Sequence, residues 1–386
     1  MSTTSGLDEL VRHVPAHWKN QRIGIVCHQA SVDARLRHII DLLISKGLRV
    51  TAIFGPEHGL YGNAQDQIEV PSETRRNIPI YSLYAETRYP PKEWLDNVDI
   101  LVCDLQDVGS RYYTFVWTMA LAMQACEKYG KKFVVLDRPN PINGETLEGP
   151  VLDPQFSSFV GLYPVPVRHG MTIGELALWI NEGLGVGANL EVIPMKGWKR
   201  SMYFDQTGLP WVLPSPNMPT LDTAVVYPGA CLIEGTNLSE GRGVTRPFEI
   251  LGAPYIDENK LADRMNAQKL PGVTFRACRF EPTFHKFQAT SCGGIQQHVT
   301  DRQRFKSFLT GLVVIETIRA ICPIGFAWRP PPYEYETEKL PFDILCGTDR
   351  VRQAIESSSP VKKLETSWAA GLREFSRQRK PFLLYN

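Results

Sequence analysis

Short β-branched runs at residues 22–27, 49–54, 78–83, 99–103 and 132–136 are interleaved with helix-period segments at 33–46 and 113–129, which Gly47 and Gly130 close. This alternation constrains the fold more than any other feature. A strand that pairs in parallel with its predecessor needs a crossover of a dozen or more residues, which a helix supplies, so the pattern predicts βα units and a parallel sheet of the α/β class. The crossovers are expected to be right-handed. The carboxyl ends of parallel strands share one edge, where such sheets bind their ligands.

Thr172 and Glu175 have capping-box spacing ahead of Leu176-Ala177-Leu178-Trp179-Ile180, which predicts a helix, and a strand follows at 190–194. From about 200 to 255 Pro, Gly and Asn accumulate without periodicity. So long an irregular stretch is usually functional, and it is expected to line a site. A helix at 258–268, strands at 273–280 and 294–299 and a helix at 301–321 then form a smaller α+β unit. After Arg329-Pro330-Pro331-Pro332 come two helical patterns, near 342–346 and 361–377. A chain of 386 residues exceeds what one core usually serves. The expected division is an amino-terminal extension over 1–20, an α/β domain over 21–255 and a smaller α+β domain over 256–386.

Lys and Arg number 42 against 41 Asp and Glu, so the basic footprint of a nucleic-acid or anionic-membrane binder is missing. No run reaches the ~18 apolar residues of a membrane span. The opening segment carries Asp8 and Glu9 and lacks the apolar stretch of a secretory signal. The 8 cysteines include no CxxC pair and several lie in apolar runs such as Leu101-Val102-Cys103, so they are expected to be reduced and buried. Together these features point to the cytoplasm. The sequence leaves the oligomeric state open.

Polar residues gather where strands end. Gly55-Pro56-Glu57-His58-Gly59 follows one strand, Asp104-Leu105-Gln106-Asp107-Val108-Gly109-Ser110-Arg111-Tyr112-Tyr113 another, and Asp137-Arg138-Pro139-Asn140-Pro141 a third. On a parallel sheet Glu57, His58, Asp104, Asp107, Asp137 and Arg138 would converge on one crevice, the layout of an acid/base site. Asp137 serves equally well as a cap or turn former, and of Asp104 and Asp107 one could face the crevice while the other caps the next helix. Glu57, between Pro56 and His58 in a Gly-bracketed loop, is a poor cap and a poor turn former, which favours a functional role. His169, just before a capped helix, is as readily structural as functional.

The segment Glu234-Gly235-Thr236-Asn237-Leu238-Ser239-Glu240-Gly241-Arg242-Gly243-Val244-Thr245-Arg246 is dense in groups that bind hydroxyl-rich or carboxylate-bearing ligands, with a solvated loop of surface ion pairs as the bland alternative. Gly183-Leu184-Gly185-Val186-Gly187 imitates a dinucleotide fingerprint but follows a helix and precedes a strand, the reverse of the required context. Walker, HExxH and GxSxG motifs are missing, and no cofactor or resident metal is expected. His58 with Asp104 and Asp107 could hold a divalent ion, which keeps a metal-dependent hydrolase as an alternative, and a ligand-binding protein without turnover is another.

At these residues the chain resembles the NamZ-type exo-β-N-acetylmuramidases, a glycoside hydrolase family formerly catalogued as a domain of unknown function. The resemblance rests on Gly55 to Gly59, Asp104 to Phe115, Val135 to Pro141, Ser158-Phe159-Val160-Gly161-Leu162-Tyr163-Pro164, Arg168-His169-Gly170-Met171-Thr172, Glu234 to Thr245 and Trp328 to Tyr333. It implies a Rossmann-like domain followed by a smaller one. Between them would lie a cleft that releases terminal β-linked N-acetylmuramic acid from the non-reducing end of peptidoglycan fragments. The family's catalytic glutamate would fall on Glu57.

Glycoside cleavage needs a carboxylic acid that protonates the leaving oxygen, commonly paired with a second carboxylate. Glu57 suits the acid, with Asp104, Asp107, Glu234 and Glu240 as possible partners and His58 beside them. N-acetylmuramic acid carries a lactyl carboxylate, so an arginine fork is expected from Arg111, Arg138, Arg168 or Arg242. Tyr61, Tyr112 and Tyr113 offer flat faces for a sugar ring. Asp137, Asn140, His169, Asn217, Asn237, Glu234 and Glu240 complete the expected substrate-binding set, and the expected partner is a small carbohydrate.

Overall fold

The computed structural model describes residues 2–65, 68 and 73–386. The main sheet takes β1 (Arg22–Cys27), β2 (Arg49–Gly55), β3 (Glu73–Arg75), β4 (Ile78–Ser82), β5 (Ile100–Asp104) and β6 (Lys132–Leu136). A separate antiparallel pair, β7 (Glu148–Val151) and β8 (Pro166–Arg168), precedes the seventh strand of the sheet, β9 (Leu190–Ile193). The spatial order is β3-β4-β2-β1-β5-β6-β9, with only β3 antiparallel to its neighbour. Without that edge strand this is the doubly wound Rossmann order, whose topological switch lies between β1 and β5.

Side chains alternate across this sheet as the two-residue period requires. Ile23, Ile25, Cys27, Ile100, Val102, Val134 and Leu136 pack on one face, with α1 (Gly6–Arg12) and α2 (Ile39–Ser45) over them. Val26, Leu101, Cys103, Phe133 and Val135 pack on the other, which the single turn α3 (Lys92–Leu95) borders and α4 (Phe115–Lys128) and α5 (Ile173–Leu178) cover. Burying each such side chain contributes about 1.5–3 kcal/mol, so a one-residue register slip would expose a whole face.

This second cluster runs on without a break into the carboxyl-terminal half. There α6 (Leu221–Ala230) leads to a three-stranded antiparallel sheet ordered β10 (Ile250–Ala253), β12 (Cys292–Val299), β11 (Val273–Phe280). Helices α7 (Glu258–Ala267) and α8 (Ser307–Ile321) pack beside it, and α9 (Pro341–Cys346), α10 (Arg350–Glu356) and α11 (Ala369–Arg379) finish the chain. Gly229 on α6 and Gly311 on α8 meet backbone to backbone, where a Cβ on either would collide with the other helix.

Several expectations shift. The helix expected at 33–46 begins at Ile39, because Asp33 accepts the N–H groups of Arg35 and Arg37 in a turn and His38 then caps the helix. Within 1–20, α1 carries a Ser5/Asp8 capping box and buries Leu7 and Leu10 against the sheet. The stretch 200–255, expected to be irregular, contains α6. Thr223 to Ala230 are all buried, so no polar face marks a helical period. The helix expected at 301–321 starts at Ser307, the pattern at 361–377 divides into a 3-10 turn and α11, and α10 was not anticipated. All eight cysteines are free, but Cys278 and Cys322 are only partly buried.

Candidate active site

β2 ends at Gly55, and Pro56 turns the chain so that Glu57 and His58 stand over the carboxyl edge of the sheet. His58 adopts φ 69°, a left-handed conformation that residues other than glycine populate sparsely, and its Nδ1–H donates to the Ala64 carbonyl at 2.9 Å. From β5 the chain reaches Thr114 at the N-cap of α4. Its hydroxyl does not cap that helix and instead donates to Glu57 Oε2 at 2.6 Å. Glu57 is 6% exposed.

Tyr112, Tyr113 and Val160 extend this side of a cavity of about 40 Å³, and the other half of the chain supplies Ser215, Asn217 and Met218, then Tyr227 on α6, Glu234, Arg242 and Phe248, and finally Tyr333 and Glu334. At that volume it holds a few waters. Glu234 accepts from Arg242 Nη2 at 2.8 Å on one oxygen and from the Tyr333 hydroxyl at 2.7 Å on the other. Both oxygens accept, the arrangement that suits an ionised carboxylate. Arg242 lies over the Phe248 ring at 5.2 Å, with its Nε 3.3 Å from Glu240. Burial works against the charge of Glu240, but Lys286 at 3.0 Å, His285 at 3.3 Å and Arg242 outweigh it and hold this carboxyl well below the usual range. Glu334 accepts from the Tyr84 hydroxyl at 2.9 Å. Burial, and after it the charges of Glu57 and Glu334, push that phenol well up, so Tyr84 stays a donor.

Of the expected residues the structure brings Glu57, His58, Tyr112, Asn217, Glu234 and Arg242 to this cavity. Tyr113 lines it too, whereas Tyr61 lies outside the lining. Asn217 donates to Gln65 at 2.8 Å, and Tyr112 gives its hydroxyl to the Pro228 carbonyl. Glu240 stands behind Arg242 and orients it. The others are placed elsewhere, each committed to an internal partner. Asp104 and Arg138 form a buried two-point pair at 2.5 and 2.8 Å. Asp107 accepts from the Gly109 N–H at 2.7 Å and lies 3.3 Å from His169, whose Nδ1 accepts from Met171. Arg111 donates to the carbonyls of Pro150, Val165 and Leu345, and burial lowers it to about 10.

Asp137 receives the Gly174 N–H and Thr172 hydroxyl at the start of α5, and the Tyr385 hydroxyl. Asn140 pins the Met171 carbonyl and Ile142 N–H. Arg168 pairs with Glu148 at 2.7 Å and the Ile142 carbonyl. Asn237 joins Gly325, Tyr255 and Ala327. So the convergence expected of every strand end is confined to the loop after β2 and the start of α4. Between β1 and β5 the gap is bridged by protein: His28 Nδ1 donates to the Pro214 carbonyl and Nε2 accepts from the Gln106 N–H. Among the described residues no group of three or more His, Cys, Asp or Glu is placed to hold a metal ion, and no helix is long and apolar enough to cross a membrane.

Thr114, Ser215, Tyr227, Phe248, Tyr333 and Glu334 were not anticipated. Tyr227 and Phe248 read as core, and they are. The one usable signal was Tyr333-Glu334-Tyr335-Glu336, polar and aromatic, directly after three prolines.

A doubly wound sheet merged with a smaller α+β unit, with several glutamates lining a cavity beside them, makes this an α/β protein with the carboxyl groups an acid/base enzyme needs. The chain belongs to the exo-β-N-acetylmuramidase NamZ family: the family's N-terminal part matches residues 23–222 and its C-terminal part residues 225–385. It is 47% identical over 384 residues to the peptidoglycan β-N-acetylmuramidase NamZ of Bacillus subtilis (strain 168), spanning 99% of this chain and 91% of that protein. Two crystal structures of DUF1343 family proteins from Bacteroides fragilis NCTC 9343 share the fold. One has TM-score 0.89 and 31% identity, the other 0.79 and 30%, and each match covers 100% of this chain and 99% of the other.

Proposed function

We infer that this protein is an exo-β-N-acetylmuramidase, a glycoside hydrolase that releases terminal β-linked N-acetylmuramic acid from the non-reducing end of peptidoglycan fragments. The observation that carries this is the match to both halves of the family, joined to 47% identity over nearly the whole chain. The cavity supports it with carboxyl groups in contrasting surroundings. We assign Glu57, whose Oε2 accepts from a neutral hydroxyl, the donation of a proton to the leaving oxygen as the C1–O bond breaks. Glu234, held by Arg242 and Tyr333, supplies the fixed negative charge that steadies the oxocarbenium-like centre or receives the proton of the attacking water. Arg242 is the arginine lining the cavity and is assigned to the lactyl carboxylate.

The test compares the disaccharide N-acetylmuramyl-β-1,4-N-acetylglucosamine with its N-acetylglucosaminyl counterpart, following sugar release by mass spectrometry. Release from the first and not from the second is expected, because only the first carries a carboxylate for Arg242. Equal rates on the two would sink the specificity, and no release from either would sink the activity.

A further inference from the structure

Beside the cavity runs a second depression, an open groove of about 410 Å³ bordered by Arg88, Ser158, Phe159 and Tyr335. Glu334 lines both. This glutamate sits on a tight turn in which Tyr333 and Glu336 exchange backbone hydrogen bonds of 2.8 and 2.9 Å. Its two central residues, Glu334 at φ 46° and Tyr335 at φ 66°, are both left-handed. Such a turn is ordinarily built from Asn-Gly, and full-sized side chains pay a conformational penalty there. The pairing sends neighbouring residues into two compartments: Glu334 to the Tyr84 hydroxyl beside the cavity, Tyr335 into the groove.

The groove has the features of a saccharide platform. Tyr335 is 45% exposed, and its ring is fixed by Arg88, 4.3 Å from the centroid, and by edge contacts with Tyr84 and Phe159 at 5.6 and 6.0 Å. A half-exposed, immobilised ring offers a face to the C–H side of a pyranose at little entropic cost, and Ser158 supplies a hydroxyl partner at the border. An exo-acting glycosidase encloses the terminal sugar and must leave the rest of the substrate outside, next to the proton donor. The groove meets the cavity at Glu334, which lines both, and Glu57 stands in the wall of the cavity.

Resting on the glycosidase function proposed above, we propose that this groove is the aglycone subsite, holding the neutral 2-acetamido sugar on the leaving side of the scissile bond. Tyr335 is its stacking platform, and Glu334 accepts from the hydroxyl or amide of that sugar. An anionic sugar is disfavoured there by the Glu334 carboxylate.

The full chain and its Tyr335→Ala and Tyr335→Phe variants are assayed on two substrates, the muramyl-glucosamine disaccharide and N-acetylmuramyl β-fluoride, whose leaving group is a single atom. Tyr335→Ala is expected to lower kcat/KM on the disaccharide by roughly tenfold, mainly through KM, while the fluoride is cleaved within about twofold of wild type. Tyr335→Phe keeps the ring and is expected to restore the disaccharide rate. Fluoride cleavage also reports that each variant is folded. Equal losses on both substrates, or an unchanged KM for the disaccharide, overturn the subsite while leaving the glycosidase function standing. A wild-type chain that cleaves neither overturns both.

Discussion

Glu57→Gln separates proton donation from everything else this side chain does. The amide matches the carboxyl in shape, and its oxygen can still accept from the Thr114 hydroxyl that now lies 2.6 Å away. The fold therefore keeps that hydrogen bond, and its stability is expected to change by no more than about 1 kcal/mol, which in a chain of this size moves Tm by about 2 °C at most. Catalysis loses the general acid, worth about 10²- to 10⁴-fold, or roughly 3–5 kcal/mol of activation free energy. That loss applies in full to the disaccharide, whose sugar alkoxide is a poor leaving group. An activated aryl glycoside departs with little protonation, so its loss is expected to be at least about tenfold smaller. Single-substrate kinetics on both compounds, with thermal unfolding as the control for folding, make the measurement. Near wild-type rates on both in a folded protein, or equal losses on both, refute the assignment of Glu57 as acid.

Tyr333→Phe removes the donor 2.7 Å from Glu234; a hydrogen bond to a charged group is worth about 1.5–3 kcal/mol, so kcat should fall about tenfold or more with little change in KM, and an unaltered kcat would remove Glu234 from the chemistry. Burial, and after it the Arg138 charge, lower His28 from its ordinary 6.5 to about 3. The unfolded chain then binds one more proton than the folded chain between those values, so the stability contribution is complete above about 6.5 and is lost as pH falls toward 3. His28→Gln cannot titrate, so its denaturation free energy should fall less steeply with acid over that window, by up to about 1.4 kcal/mol per pH unit, whereas parallel slopes would show that His28 does not couple folding to protonation.

Much of the framework was legible because it is locally encoded. The strands at 22–27 and 132–136 sit where their β-branched runs place them, and the Thr172/Glu175 box opens α5, since period-two burial and capping depend on residues a few positions apart. Glu57 stood out for a local reason as well: a glutamate between Pro56 and His58 has no cap or turn to make. The fold class followed, because strands separated by helices have few ways to close a sheet.

Which of the polar residues share a cavity was decided only by the tertiary structure. Asp104 and Glu57 both follow apolar strands, yet Arg138, 34 positions on, takes up Asp104, while Thr114, 57 positions on, reaches Glu57. Glu234 owes its environment to Arg242 nearby and to Tyr333, 99 residues away, and Tyr335 gains its platform from Arg88 and Phe159. A one-dimensional pattern records how hydrophobic a position is and how the backbone turns there. The partner of a buried charge is set by strand order and by where the two halves of the chain press together.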